Sequence, residues 1–256
     1  MRYWNYDNLA DSYDETRRVP NELTCFFKEE IHNFIESNFD SPHTLLSIGL
    51  GTGRVESLLS SEKHQLFGVD IAREMLKKLN AKNINPPCYP IQADGFSLPF
   101  SKSFQAILLV QIIHLIPLIG EFITELQNYS DIIIVGDAYT ETHNHPIYVK
   151  FLDILLENSK NNLEKDQPIN LKFADIIGQL GAKSTNKTIR IDSSIPNSEI
   201  YNGIVKRSFR SMWEVKEETF KKSLEQLELF IKENGINLDD KFKTKSTVNL
   251  DFYEFD

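Results

Sequence analysis

Five short, nearly all-apolar runs recur through the first 140 residues, and the segments between them have a helical pattern. The runs are "TLLSIGL" (44–50), "QLFGVD" (65–70), "CYPIQAD" (88–94), "SFQAILLVQ" (103–111) and "DIIIVGDA" (131–138). Strands apolar on both faces must be covered on both faces, which calls for a parallel sheet with helical crossovers. The spacing therefore predicts an α/β chain with a doubly wound, mostly parallel sheet. Right-handed crossovers bring every strand's carboxyl end to one rim, and ligands of such sheets bind there.

Helices are expected at 20–38, where Leu23, Phe26, Phe27, Ile31, Phe34 and Ile35 fall near a 3.6 period, and at 53–62, 72–82 and 117–128. The second half is less regular. Helices are expected over 145–163 (from Pro146), 171–183 (stopped by Gly181) and 216–235, and strands over 184–192 and 242–255, which brings the sheet to seven strands. Residues 198–212 have no clear period. No second domain stands out. The chain reads as one domain over 1–256, with an N-terminal helical cap at 1–40 and insertions at about 140–168 and 195–238 forming a lid over the rim.

Composition narrows the function classes. The formal charge is −9 with 25% charged residues, so broad binding to phosphate backbones is not expected. The basic run with Lys206, Arg207 and Arg210 is short and reads as a solvated face. Cys25 and Cys88 have neither metal-type nor disulfide-framework spacing. The longest apolar stretch, 106–120, is too short for a membrane span and contains Gln111, His114 and Pro117. A cytoplasmic protein without nucleic-acid or membrane partners is expected; its oligomeric state is left open.

The first strand runs into Gly49, Gly51 and Gly53. Three glycines in so short a space let the backbone turn tightly and leave room for a ligand against the main chain. A helix behind them would aim free N–H groups at that ligand. The G-x-G-x-G spacing departs from the dinucleotide fingerprint at Arg54, and no Gly-Lys-Ser/Thr phosphate loop follows. Asp70, ending the second strand, is placed to accept from a ribose diol. Asp94, after the third, can accept from an exocyclic amine, and Gly95 offers backbone to an adenine edge. Ribose, adenine and a carboxylate-bearing tail without pyrophosphate describe S-adenosylmethionine (SAM).

"LLSIGLGTGR", "GVDIAREML", "QADGFSLPF" and "SFQAILLVQIIHLI" stand in the order and spacing of the class I SAM-dependent methyltransferases, and "YDNLADSYDETR" is similar to the N-terminal helix of their ubiquinone/menaquinone-biosynthesis-like subgroup. The resemblance covers residues 6–140 and, more loosely, the tail. It implies a Rossmann-like fold and SAM as cofactor. By position it implies that Gly49, Gly51 and Gly53 line the methionine part, Asp70 holds the ribose hydroxyls, Asp94 and Gly95 bracket the adenine and Gln111 sits near the methionine tail, with Ile71 a further cofactor-binding residue. It also implies that Tyr13 and Arg17 close over the cofactor. One departure is Ser47, where the family usually carries an acid; Asp11, Asp14 and Asp137 are the candidate substitutes.

Methyl transfer from a sulfonium needs alignment above all, and a base only where the acceptor must lose a proton. His114, Tyr13 and His143 are the candidate catalytic residues. No metal is expected, since His143 and His145 lack a third ligand in sequence. Phe151, Leu152, Leu155, Tyr201, Phe209, Met212 and Trp213 either roof the rim or bury one another. The expected function is methyl transfer to a small, partly apolar organic acceptor. The alternatives are a non-catalytic binding or regulatory subunit and a protein methyltransferase.

Overall fold

A computed structural model describes residues 6–7, 10–11, 13–16, 20–61, 63–84, 88–101, 103–159, 170–213 and 215–255. The elements run α1 (Tyr13–Thr16), α2 (Asn21–Asn38), β1 (His43–Ile48), β2 (His64–Asp70), α3 (Arg73–Ala81), β3 (Cys88–Gln92), β4 (Ala106–Val110), α4 (Ile119–Leu126) and β5 (Ile132–Thr140). They continue with α5 (Pro146–Asn158), α6 (Asn170–Gln179), β6 (Lys183–Pro196), α7 (Asn197–Val205), α8 (Glu217–Glu233) and β7 (Lys241–Glu254).

The seven strands form one sheet in the order β3-β2-β1-β4-β5-β7-β6. β1 to β5 pair in parallel, and β7 inserts antiparallel between β5 and β6. The Rossmann-like, doubly wound reading holds. Strand order reverses between β1 and β4, so the crevice of such a fold opens at their carboxyl ends.

The near-continuous apolar strands divide by alternation. Leu45, Leu66, Leu108 and Ile134 face one layer, where α2 contributes Leu23, Phe27, Ile31 and Ile35 as a single stripe. Leu46, Ile107, Leu109 and Ile133 face the other, against Phe122, Ile123 and Leu126 of α4 and Phe173 and Ile177 of α6. Phe27 is fully buried; truncating such a side chain to Ala typically costs about 3–5 kcal/mol. A third cluster gathers Ile147, Phe151 and Leu155 of α5 with Ile200 and Ile204 of α7 and Phe220 and Leu227 of α8.

Several expected elements come out differently. The helix expected over 53–62 is a single 3-10 turn, Glu56–Leu59: Gly53 at φ +64 delays its start, and Ser60 is already extended. Residues 198–212 resolve into the rest of α7 and a second short turn, Arg210–Met212. The strand expected over 184–192 extends to Lys183–Pro196, paired along its length with β7. α5 ends at Asn158, and the part of the expected helix beyond Ser159 lies outside the described residues. Arg207 does not point freely into solvent: its guanidinium stacks on Phe220 at 4.0 Å and pairs with Glu217 at 3.2 Å. Among the described residues, no helix is long and apolar enough to cross a membrane.

Candidate functional site

A cleft of about 930 Å³, mouth included, opens at the carboxyl rim where β1, β2 and β4 end. The glycine loop forms one wall. Gly49 and Leu50 donate their N–H groups to the Val69 carbonyl at 2.8 and 3.0 Å, which pins the loop to β2. All three loop glycines have positive φ, but their surroundings differ. A Cβ on Gly49 would meet Ile112 at 2.4 Å, and one on Gly53 would meet Leu79 at 2.5 Å. At Gly51 the nearest atoms would be 3.9 and 4.0 Å away. Gly51 therefore shows bare backbone to the cleft, whereas Gly53 is small so that α3 can pack and does not line the cleft.

Asp70 stands at the centre of the rim. Its Oδ2 accepts from the Gly51 N–H and its Oδ1 from the Ala72 N–H, both at 2.7 Å. The same carboxylate thus holds the glycine loop and opens α3. Burial raises its pKa, opposed by these backbone hydrogen bonds. Each oxygen keeps a lone pair, and the residue lines the cleft. Beside it Ile71 is an exposed apolar side chain. Asp94 lies past the end of β3; its Oδ1 accepts from the Phe96 N–H at 2.9 Å, and Ala93 to Phe96 form the cleft's far wall. A Cβ on Gly95 would meet Ile48 at 2.8 Å, so this loop lies directly on the floor.

Gln111 follows β4 in a left-handed conformation, φ +60, unusual for a residue with a side chain. Its backbone N–H donates to the Gly136 carbonyl at 2.8 Å, and its side-chain amide donates to the Ala138 carbonyl at 2.6 Å. The strain sits at the cleft wall, as is common at ligand sites.

The N-terminal segment covers the mouth. Tyr6 and Tyr13 line the cleft and meet edge to face at 6.1 Å. Asp14 accepts from the Thr52 hydroxyl at 2.6 Å and pairs with Lys82 at 2.8 Å; Lys82 also donates to the Thr52 carbonyl at 2.7 Å. Burial alone would raise the Asp14 pKa, but Lys82 and Thr52 outweigh it and the net shift is downward. Asp7 accepts from the Glu74 N–H at 2.9 Å, and Asp11 pairs with Lys78 at 2.6 Å. Four contacts thus tie this strap to the glycine loop and α3.

Tyr13, Gly49, Gly51, Asp70, Ile71, Asp94, Gly95 and Gln111 come together in one cleft. Arg17 lies outside the described residues. His114, in the short turn Ile113–Leu115, is flanked by Ile112, Leu115 and Ile116 of the wall but does not itself line it. His143 is exposed in the turn Thr142–Asn144 and is not in the wall either. His145 is buried, where its Nδ1 accepts from the Ile147 N–H and caps α5. None of the seven candidate roof residues lines the cleft; Phe151, Leu155 and Met212 belong to the third cluster. Trp213 approaches through Tyr6, at 5.3 Å.

The acid beside Ser47 is none of the three expected. Ser47 donates to Glu56 Oε1 at 3.3 Å, while Asp11 and Asp14 serve the strap and Asp137 stands in β5 opposite Asn249. Glu56 sits in the sequence "VESLL", where Val55 and Leu59 are also buried. That apolar setting was its only signal. Tyr6 and Met75, two further wall residues, have no motif of their own.

The profile of the family described as "Methyltransferase domain" matches residues 46–129, the span from β1 to the end of α4 that builds the cleft. A curated relative from Alkaliphilus oremlandii, named only as an uncharacterized methyltransferase, is 24% identical over 176 residues, 65% of this chain and 76% of that protein. Over residues 46–129 the chain is similar to the methyltransferase domain family.

Solved methyltransferases share the architecture. One, described as coming from an antibiotic biosynthesis pathway of Anabaena variabilis, superposes with a TM-score of 0.55 at 15% identity, over 91% of this chain and 98% of that one. The magnesium protoporphyrin IX methyltransferase of Synechocystis, solved with S-adenosylhomocysteine bound, gives 0.53 at 12% identity, over 72% of this chain and 89% of that one. The sequence motifs imply SAM as the cofactor of this chain. Its cleft fits that molecule: Gly51 leaves a gap no side chain fills, and Asp70 faces the gap with acceptor capacity to spare.

Proposed function

We propose that this chain is a SAM-dependent methyltransferase acting on a small, partly apolar organic molecule inside the cell. The observation that carries the reading is the composition of the cleft wall. Ile48, Val69, Met75, Val110, Ile112 and Phe122 are among its apolar members, against few polar side chains, chiefly Asp70, Asp94 and Gln111. Those three, with Gly49, Gly51, Ile71 and Gly95, are assigned to the cofactor; the remaining wall suits an apolar acceptor.

In this reading Asp70 accepts hydrogen bonds from a ribose diol. Asp94 and the Gly95 backbone meet the base, with Ile71 against its face. Gly49, Gly51 and Gln111 border the amino-acid end. When bound, the cofactor supplies a methyl group already activated by a sulfonium charge. The chain's own task is then to hold the acceptor in line, to exclude water through Tyr6 and Tyr13, and to fix the backbone around the reacting centre. Such alignment can supply several kcal/mol. His114 and His143 stand off the wall, so no proton transfer is assigned to them; an acceptor with a ready lone pair fits best.

The test uses methyl-labelled SAM and a cell extract incubated with the purified protein. Label is expected in the low-molecular-mass, organic-extractable fraction. Label confined to precipitated protein would replace this reading with that of a protein methyltransferase. Cofactor binding without transfer to either fraction would favour a non-catalytic subunit.

A further inference from the structure

At the opposite edge of the sheet from the cleft lies a cluster that methyl transfer does not use. His43 opens β1 and His64 opens β2, directly opposite each other in the parallel register. His32 and Glu36 lie one turn apart on the C-terminal half of α2. At that i,i+4 spacing both side chains project from one face.

The hydrogen bonds fix where the protons are. His43 Nε2 lies 3.1 Å from the Phe39 carbonyl, which can only accept, so Nε2 carries the hydrogen. A neutral His43 then presents a bare Nδ1 to His64 Nδ1 at 2.9 Å, so His64 donates from Nδ1. That leaves His64 Nε2 with a lone pair. It is aimed where His32 Nδ1, at 2.9 Å, and Glu36 Oε1, at 3.8 Å, converge. Glu36 Oε2 is engaged by Lys63 at 3.1 Å, while Oε1 is buried and has no hydrogen-bond partner.

We propose that His32, Glu36 and His64 form a binding site for a divalent transition cation of the zinc type. Their ligand atoms all lie within 4.8 Å of one another. Tetrahedral bonds of about 2.0–2.1 Å place ligand atoms roughly 3.3–3.4 Å apart; the observed 2.9 and 3.8 Å straddle that spacing. Two imidazoles with one carboxylate suit zinc, cobalt or nickel and not magnesium or calcium, which take oxygen ligands. His32 is half-buried, which gives the ion an entry and leaves a fourth position for water. Two adjustments are needed: His32 carries its proton on Nε2 in place of Nδ1, and the donor atoms move to the tetrahedral spacing. The supporting shell is already built, since a metal-bound histidine ordinarily gives its other N–H to an acceptor. Here His64 gives it to His43, and His43 gives its own to Phe39.

The cation would tie α2 to the amino ends of β1 and β2, the ends away from the chemistry. Its role is therefore structural, a staple for the helix that covers one face of the sheet.

The test is made on untagged, full-length protein stripped with chelator. Co²⁺ is titrated first, its visible absorption reporting the donor set; Zn²⁺ follows as competitor, and thermal unfolding is measured with and without Zn²⁺. One equivalent of Co²⁺ is expected, with a visible band displaced by Zn²⁺, and Zn²⁺ is expected to raise the unfolding temperature. His32→Gln and Glu36→Gln are each expected to weaken Zn²⁺ binding about tenfold or more, while the stripped variants keep the wild-type circular dichroism and SAM affinity. A wild type with neither the band nor the Zn²⁺-dependent shift overturns the proposal. So does a band that survives in both variants, which would place the ion elsewhere, for example at exposed His143.

Discussion

The Ser47 hydroxyl donates to the Glu56 carboxylate at 3.3 Å, in a spot where Ser47 is fully buried and Glu56 nearly so. Where the methyltransferases that this sequence resembles usually carry an acid on β1, a carboxylate reaches Ser47 from the turn behind the glycine loop. It does not line the cleft, and burial drives its pKa up to about 7.

A pH dependence of stability follows. Glu56 ionises near 4.5 when unfolded and near 7 when folded. Stability is therefore lost as pH rises from about 4.5 to 7, because the unfolded chain releases this proton first. Glu56→Gln keeps an acceptor for Ser47 and has no proton to lose. Relative to wild type, the variant should gain on the order of 3 kcal/mol between those limits. Denaturant unfolding at a series of pH values measures the difference; a difference that stays flat across the range sinks the assignment.

Asp70→Ala should weaken SAM binding by well over tenfold. Two backbone hydrogen bonds to the carboxylate go with the ribose contact, and each bond to a charged group is worth about 1.5–3 kcal/mol. Calorimetric titration with SAM decides, and unchanged affinity would remove Asp70 from the site.

Gly51→Ala and Gly53→Ala separate space for a ligand from space for packing. Both place a side chain at positive φ, a strain of about 1–2 kcal/mol. Gly53→Ala adds a collision with Leu79 at 2.5 Å, so it should lower the unfolding temperature more. Gly51→Ala should lose the larger share of its cofactor affinity. Parallel thermal unfolding and SAM titration of the two variants would show the reverse order if the cleft assignment were mistaken.

Asp14→Ala frees the strap from Thr52 and Lys82. SAM should bind several-fold more weakly, and the N-terminus should become more sensitive to limited proteolysis. Unaltered cleavage with unaltered affinity would show that Asp14 does not hold the cover in place.

The sheet was legible in the sequence because its five parallel strands are apolar on both faces and each ends in a recognisable turn. The loop residues Gly49, Gly51, Asp70, Asp94 and Gln111 were legible because their positions follow from strand ends. Glu56 was not, since a buried acid in "VESLL" has no spacing to announce it, and the 3-10 turn that carries it was expected as a helix. His32, Glu36, His43 and His64 were not legible either. They are distributed between one helix and two strands, and only the parallel register of β1 and β2 brings them together. The packing of α5, α7 and α8 among themselves could not be told from sequence apart from a roof over the rim, because both uses demand the same apolar side chains.

Tyr6 touches Tyr13 on one side and Trp213 on the other. A single ring thus bridges the cleft wall and Trp213, whose indole N–H donates to the Arg207 carbonyl just past α7. A substitution at Trp213, far from the glycines in sequence, therefore reaches the cleft through one aromatic contact.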